Sequence, residues 1–130
     1  MISDRELIKQ AEKARDFSYA PYSKFSVGAA ISTKTGKIYT GCNIENSSFG
    51  LSICAERVAL FKAVSAGERK FLKLALVGPG NPQIFPCGAC RQVLFEFAPD
   101  LMIVTIDNGT VNCFPLRELL PEGFRLEGKQ

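Results

Sequence analysis

The sequence predicts a three-layer α/β/α domain, in which helices cover both faces of a central sheet. Short apolar runs typical of buried strands alternate with segments of helical spacing, and turn residues separate the two. A length of 130 residues suits one domain, so we expect a single domain over residues 1–130. The predicted order is α-β-β-α-β-α-β-β-α, and we expect the later strands to be parallel, with helical crossovers.

Four elements are predicted in the first half of the chain: a helix, two hairpin strands and a second helix, over residues 4–17, 25–32, 37–43 and 52–65. The first helix depends on four apolar residues at helical spacing: Leu7, Ile8, Ala11 and Ala14. Residues 34–37 (KTGK) form the turn of an antiparallel hairpin. A Ser- and Gly-rich loop at 46–50 precedes the second helix, and Gly67 suits the end of that helix.

Five elements are predicted in the second half: a strand, a helix, two strands and a short helix, over residues 72–77, 88–97, 101–106, 111–114 and 116–120. The runs LKLALV and LMIVTI are short and apolar, which is consistent with buried strands. Residues 78–82 (GPGNP) form a connection, and Pro86 stands just before the third helix.

Five cysteines and no histidine are the most informative counts. The odd number, without a signal-peptide pattern, indicates reduced thiols and a cytoplasmic protein. Without histidine, the chain can form neither a Ser-His-Asp triad nor a Cys-His nucleophile. The net charge of +3 is scattered, which does not favour a nucleic-acid partner, and no apolar run is long enough for a membrane span.

Two short segments carry candidate metal ligands: residues 54–56 (CAE) and 86–90 (PCGAC). Each follows a loop and opens a predicted helix. The spacing of Cys87 and Cys90 puts both sulfurs on one side of a first helical turn, and Cys54 would be the third ligand. Three protein ligands leave the fourth tetrahedral position of a zinc ion for water, as in catalytic zinc sites.

Charge and proton transfer in such a site need further groups. Three thiolates around Zn²⁺ sum to −1, and each helix N-terminus supplies the equivalent of roughly +0.5 charge. Arg57 is a candidate to hydrogen-bond a ligand sulfur; its alternative is a surface arginine. Glu56 is the candidate to accept a proton from the water and return it to the substrate, and its alternative is a residue that complements the helix dipole.

The cysteine pattern leaves two other interpretations open. A closed, structural Cys₄ zinc site would use Cys42 or Cys113 as the fourth ligand, although such sites usually contain two paired motifs. A thiol-disulfide oxidoreductase would use Cys87 and Cys90 as a redox dithiol. The dithiol interpretation gives Glu56 no role, whereas a Pro-Cys-x-x-Cys element with an upstream ligand-x-Glu is typical of zinc deaminases.

Five blocks in order resemble the small, homotetrameric class of zinc-dependent cytidine deaminases: PYSKFSVGAA, GCNIEN, ICAER, PCGACRQ and LLPEGF, at residues 21–30, 41–46, 53–57, 86–92 and 119–124. The resemblance implies a three-layer α/β/α fold around a mixed five-stranded sheet. It also implies hydrolysis of cytidine and deoxycytidine to the uracil nucleosides plus ammonia, as in pyrimidine salvage. One zinc ion per subunit would bind Cys54, Cys87 and Cys90, with proton transfer by Glu56.

The same resemblance implies substrate contacts for five residues. Phe25 would stack beside the pyrimidine ring. Asn43 and Glu45 would bind the ribose, and their i, i+2 spacing at a strand end lets both point the same way. The backbone of Ala55 would contact the amide edge of the base. Phe124 would close the pocket of a neighbouring subunit, so that active sites lie near subunit interfaces.

Some positions depart from the family pattern or match none of its functional positions. Phe49 stands where many relatives have tyrosine, which removes a hydroxyl near the sugar. The tail at 125–130 (RLEGKQ) resembles that of blasticidin S deaminase, so another cytosine nucleoside is the alternative substrate. Cys42 and Cys113 are expected to be small buried hydrophobic residues.

Overall fold

The computed structural model describes residues 1–80 and 83–126, which leaves out two residues of the 78–82 connection and the last four of the tail. Its helices and strands are α1 (Asp4–Arg15), β1 (Gly28–Thr33), β2 (Ile38–Cys42), α2 (Ala55–Ser65), β3 (Phe71–Val77), α3 (Gly88–Phe97), β4 (Met102–Asp107), β5 (Thr110–Pro115) and α4 (Leu116–Leu119). A short 3-10 turn, Phe49–Leu51, precedes α2. The predicted order of elements is therefore confirmed. The largest boundary shifts are at the starts of β1 and α2, which begin three residues later than predicted (28 against 25, 55 against 52).

The five strands form one mixed sheet in the order β2-β1-β3-β4-β5. Strand β1 is antiparallel to both of its neighbours, β2 and β3. Strands β3 and β4 are parallel, and α3 is the helical crossover between them. The α/β class and the mixed five-stranded sheet are confirmed.

The expectation of parallel later strands is wrong for β5, which pairs antiparallel with β4. Only Asn108 and Gly109 separate the two strands, too short a link for a helical crossover. Both residues have positive φ, 49° and 85°, as a two-residue hairpin turn of type I′ requires. The Asn-Gly pair was a hairpin signal in the sequence that the prediction did not use.

Helices cover both faces of the sheet. Buried strand residues alternate between two apolar clusters: Ala30, Ala75 and Val104 pack on the α1 side, whereas Ile31 and Leu74 belong to the cluster with α2, α3 and α4. This alternation is the two-residue period of strands buried on both faces. As a result, α2 and α3 lie on the same face. No helix in the described ranges combines the length and apolar character that a membrane crossing needs.

Helix α2 lies very close to strand β2 at Gly41. A Cβ added to Gly41 would stand 2.5 Å from the backbone nitrogen of Ala59 and 2.6 Å from the carbonyl oxygen of Ala55. Both are backbone atoms and cannot rotate away. Glycine at this position therefore fixes how deeply the first turn of α2 sits against the sheet.

We expect Gly41→Ala to lower the free energy of unfolding by about 1–3 kcal/mol, because the new methyl group overpacks a rigid backbone contact. Gly50→Ala is the matched control, since nothing lies within 4 Å of a Cβ built there. Urea denaturation of the zinc-loaded variants measures the difference. Equal midpoints for the two variants would show that the contact at Gly41 can relax at no cost.

Candidate metal centre and adjoining pocket

Three cysteine sulfurs converge where α2 and α3 begin. Cys54 is the N-cap residue of α2, Cys87 is the N-cap residue of α3, and Cys90 lies in the first turn of α3. Their Sγ atoms all lie within 4.8 Å of one another. A tetrahedral zinc site with Zn–S bonds of about 2.3 Å needs sulfurs about 3.8 Å apart, so the three donors fit zinc after a small adjustment.

Both helices direct their positive ends at this cluster. Neither N-cap side chain accepts a hydrogen bond from its own helix, so the sulfurs do not cap the first backbone amides. Unpaired N–H groups and the aligned peptide dipoles make each helix start locally positive. This field favours thiolates and partly offsets the negative charge of a three-thiolate site.

Arg57 supplies a further positive charge to the sulfurs. Its Nη2 donates a hydrogen bond to Sγ of Cys54 at 3.4 Å. Hydrogen bonds from the Cys90 thiol and from Arg57 lower the pKa of Cys54 to about 5. The pKa of Cys90 is raised, chiefly by its hydrogen bond with Cys54, so the first thiolate of the cluster forms on Cys54.

Glu56 is a buried acid beside the cluster. Its side chain is 4% exposed, in the first turn of α2, and it lines the same cavity as Cys54 and Cys87. Burial raises the pKa of Glu56 to about 7, and the negative charge of Cys54 adds to this effect. The carboxyl group is therefore desolvated, close to the thiol cluster and part of the cavity lining.

The cluster opens into a cavity of about 590 Å³. The cavity is lined by residues of three connecting segments, of the α2 start and of β3: Ser23, Phe25, Val27, Asn43, Glu45, Ser52, Ile53, Cys54, Ala55, Glu56, Leu76, Gln83, Ile84, Phe85 and Cys87. The structure thus brings Phe25, Asn43, Glu45 and Ala55 together with the candidate metal ligands. Phe124 does not line this cavity and is 64% exposed.

The amide of Asn43 is held in one orientation by its neighbours. Its Oδ1 accepts hydrogen bonds from the backbone of Val27 at 2.9 Å and from Ser18 Oγ at 2.5 Å. Its Nδ2 donates to the carbonyl oxygen of Phe25 at 2.7 Å, which leaves one N–H of the amide group for a ligand. Asn43 therefore also positions the segment before β1 that carries Phe25.

Glu45 is held ionised at the mouth of the cavity. Its Oε1 accepts from the backbone amides of Tyr22 and Ser23 at 3.0 and 3.1 Å, and its Oε2 accepts from Ser23 Oγ. The hydrogen bond from the Ser23 hydroxyl is the main cause of a lowered pKa for Glu45. A carboxylate with spare lone pairs at this position can accept hydrogen bonds from sugar hydroxyls.

Two cysteines differ from their sequence-based description. Cys113 is exposed and donates to Asp4 Oδ2 at 3.2 Å, and Cys42 is only half-buried, so neither is a buried hydrophobic residue. Cys113 lies on β5, the edge strand whose direction the sequence analysis predicted incorrectly. All five cysteines lie in the described ranges, and neither of these two joins the cluster of Cys54, Cys87 and Cys90.

Sequence reasoning missed eight of the fifteen residues that line the cavity, among them Ser23, Gln83 and Phe85. Ser23 stands two residues before Phe25 in the PYSKF segment, and Phe85 directly precedes the Pro-Cys-x-x-Cys segment. Adjacency to a candidate site residue was the available signal for both. Gln83 carries no such signal, because it reaches the cavity only through the path of the loop after β3.

Comparison with known proteins identifies relatives along the whole fold. The family profile described as "Cytidine and deoxycytidylate deaminase zinc-binding region" matches residues 1–106. A cytidine deaminase of Sporosarcina psychrophila is 48% identical over 94% of this chain and 91% of that protein. The crystal structure of a cytidine deaminase from Burkholderia pseudomallei has a TM-score of 0.90 at 47% identity, covering 95% of this chain and 100% of that chain. A blasticidin-S deaminase of Bacillus cereus is 33% identical over 91% of this chain and 89% of that protein.

Cys90→Ser is expected to raise the Kd for zinc by about 100-fold or more, because loss of a ligand costs more than the 10–100-fold typical of outer-shell changes. Cys113→Ser is the matched control and should bind zinc as the unmodified chain does. Competition with a chromophoric chelator measures both affinities.

X-ray absorption of the loaded protein tests the open coordination position in the same samples. We expect three sulfur neighbours at about 2.3 Å and one lighter atom at about 2.0 Å. Four sulfur neighbours would contradict this arrangement and favour a closed structural site.

Proposed function

The chain belongs to the cytidine and deoxycytidylate deaminase family, and from this premise we propose how its pocket hydrolyses the 4-amino group of cytidine and deoxycytidine. Water replaces the amino group, so the products are the uracil nucleosides and ammonia. The observation that carries the proposal is the position of Glu56, a buried carboxyl group beside three convergent thiols at the inner end of a nucleoside-sized cavity. We take residues 1–130 as a single catalytic domain.

Cys54, Cys87 and Cys90 would hold one zinc ion per chain. When bound, zinc supplies a Lewis acid that makes water nucleophilic near neutral pH. The three thiolates make the site electron-rich, which opposes this activation. The starts of α2 and α3 and the guanidinium of Arg57 offset that excess, so these groups tune the site without touching the substrate.

Glu56 carries protons between water and substrate. It accepts a proton from the attacking water and delivers it to N3 of the pyrimidine as the C4–O bond forms. It then transfers the second water proton to the amino group, so that the C4–N bond breaks and neutral ammonia leaves. One carboxyl group can serve both transfers because N3 and the amino nitrogen are attached to the same carbon, C4.

The other end of the cavity binds the sugar and the ring. Glu45 would accept a hydrogen bond from a ribose hydroxyl, and Asn43 would donate its remaining N–H. Phe25 lines the cavity with 44% of its surface exposed, which leaves its ring available for stacking on the pyrimidine. The backbone of Ala55 lies between Cys54 and Glu56, within reach of the amide edge of a base at the reacting end.

A homotetramer with shared active sites is part of the proposal. Phe124 is 64% exposed outside the cavity of its own chain, and other large apolar side chains such as Phe17 and Leu51 are 80% and 72% exposed. Apolar exposure of this extent supports an interface between copies. Phe124 would then reach the pocket of a neighbouring subunit. We also assign the protein to the cytoplasm, with which its five free thiols are consistent, and its reaction to pyrimidine salvage.

Another cytosine nucleoside is the second candidate substrate, favoured by the similarity to a blasticidin-S deaminase. Phe49 is 73% exposed and packs at a tilt against Tyr22, with ring centroids 5.7 Å apart. A phenylalanine at this position offers no hydroxyl to the sugar. Cytidine remains the first choice because Asn43 and Glu45 are both present in the cavity.

Glu56→Gln should keep zinc at one ion per chain and lower kcat for cytidine by about 10²–10⁴-fold, because the amide cannot carry a proton. Glu118→Gln on the exposed face of α4 is the matched control and should retain full activity. The change in ultraviolet absorbance on conversion to uridine measures the rates. Deoxycytidine and blasticidin S belong in the same assay. A zinc-loaded chain without turnover of any of the three nucleosides would refute the proposed function.

Phe124→Ala should lower kcat/KM for cytidine by about tenfold or more, the typical effect of losing one base-stacking aromatic residue. Co-expression of F124A and E56Q chains with different affinity tags tests whether Phe124 acts on its neighbour. Mixed tetramers should regain activity, because the E56Q chain offers Phe124 to the intact Glu56 of the other chain. Sedimentation should give four chains of 14.2 kDa. A monomer, or mixed tetramers no more active than F124A alone, would contradict the shared site.

A further inference from the structure

One wall of the cavity is a short loop, residues 83–85, that neighbouring elements hold in place; we call it the 83–85 wall. Gln83 Oε1 accepts hydrogen bonds from Thr105 Oγ1 at 2.7 Å and from Asn112 Nδ2 at 3.3 Å. Thr105 is fully buried on β4. The start of the wall is therefore anchored to the sheet.

The end of the wall is an aromatic side chain with a fixed support. The ring of Phe85 packs edge-on against that of Phe114 on β5, with centroids 5.0 Å apart and an interplanar angle of 68°. Phe85 nevertheless remains 39% exposed, and it lines the cavity. Among the described residues, no contact gives Phe85 another role. The packing of Phe114 against Phe85 restricts movement of the Phe85 ring away from a ligand.

The main chain after Phe85 is fixed against the metal ligands. Phe85 is two residues before Cys87, which limits the distance between their Cα atoms to about 7 Å. The carbonyl oxygen of the intervening Pro86 accepts a hydrogen bond of 2.7 Å from Arg91 Nε, and Arg91 Nη1 donates to Leu119 at 2.7 Å. Phe85 is therefore held near the candidate metal ligands, at the reacting end of the cavity.

We propose that Phe85 is a specificity-determining residue that limits the size of the substituent at C5 of the pyrimidine ring. The inference rests on the proposed function, in which C4 lies at the thiol cluster and N3 faces Glu56. C5 is then the remaining ring neighbour of C4, and Ile84 and Phe85 of the 83–85 wall are the apolar lining residues that precede Cys87. The enzyme would accept cytosine nucleosides with hydrogen at C5 and discriminate against 5-methyl and larger 5-substituents.

The size of this discrimination follows from the stiffness of the wall. A single methyl group in an apolar pocket typically changes kcat/KM by about 10–200-fold. If the methyl group met a mobile side chain instead, the change in kcat/KM would be smaller than this range. The contacts of Gln83 and Phe85 with β4 and β5 oppose movement of the wall, so we expect discrimination within this range.

The test compares kcat/KM for 5-methylcytidine with that for cytidine in the unmodified chain and in Phe85→Ala. We expect Phe85→Ala to raise this ratio by about tenfold or more while zinc content stays at one per chain. Phe85→Leu, which keeps an apolar core contact, should give an intermediate ratio and remains informative if the alanine variant folds poorly. Phe114→Ala removes the support without entering the cavity, and should raise the ratio less than Phe85→Ala.

Lys9→Ala is the control, because Lys9 is exposed on α1 and does not line the cavity. Its ratio should match that of the unmodified chain. The inference is overturned if the kcat/KM ratio of 5-methylcytidine to cytidine in both Phe85→Ala and Phe85→Leu stays within about twofold of that in the unmodified chain. The 10–200-fold range for one methyl group could not then come from this wall.

Binding of the products separates this inference from the proposed function. Calorimetry with uridine and 5-methyluridine measures C5 discrimination without turnover, and Phe85→Ala should narrow the difference in Kd between the two by about tenfold or more. If the chain binds uridine more tightly than 5-methyluridine but deaminates none of the nucleosides, the proposed function is refuted and the inference about the 83–85 wall stands. A chain that deaminates cytidine but binds both products equally well would refute the wall alone.

Discussion

The meeting of two helix N-termini at one point is the constraint on which the rest of the site depends. Cys54 and Cys87 each occupy the residue before a helix, so their sulfurs can meet only if α2 and α3 begin side by side. The sheet enforces this, because both helices pack on the same face and α2 is held close to β2 by the missing side chain of Gly41. If either helix moved, the sulfurs of Cys54 and Cys87 would separate before any other part of the cavity changed.

The same arrangement explains how a site without histidine can be charge-balanced. Thiolates are more negative ligands than imidazoles, and a buried carboxyl group, Glu56, lies next to them. Two helix starts and the guanidinium of Arg57 place positive potential next to the sulfurs. The site therefore does not rely on solvent to screen its charge, which is consistent with the burial of Glu56 and Cys90.

The cavity joins a charged inner end to an outer end whose polar groups are oriented before a ligand arrives. Asn43 and Glu45 are each held by hydrogen bonds from neighbouring backbone groups, and Phe85 is held by an aromatic contact. Groups fixed in this way lose little conformational entropy on binding, which favours both affinity and selectivity. Selectivity in such a cavity depends on the shape of its walls as much as on its hydrogen bonds.

The sequence by itself determined the order of elements, the α/β class and the identity of the candidate ligands, because helix spacing, apolar runs and the Cys-x-x-Cys segment are local patterns. It did not determine the direction of β5, although the Asn108–Gly109 turn was a local signal that could have been used. The exposure of Cys113 and the presence of Gln83 in the cavity were decided only by the tertiary structure. Which side of a strand meets solvent, and which loop closes a cavity, depend on contacts between segments far apart in the chain, and no local pattern records them.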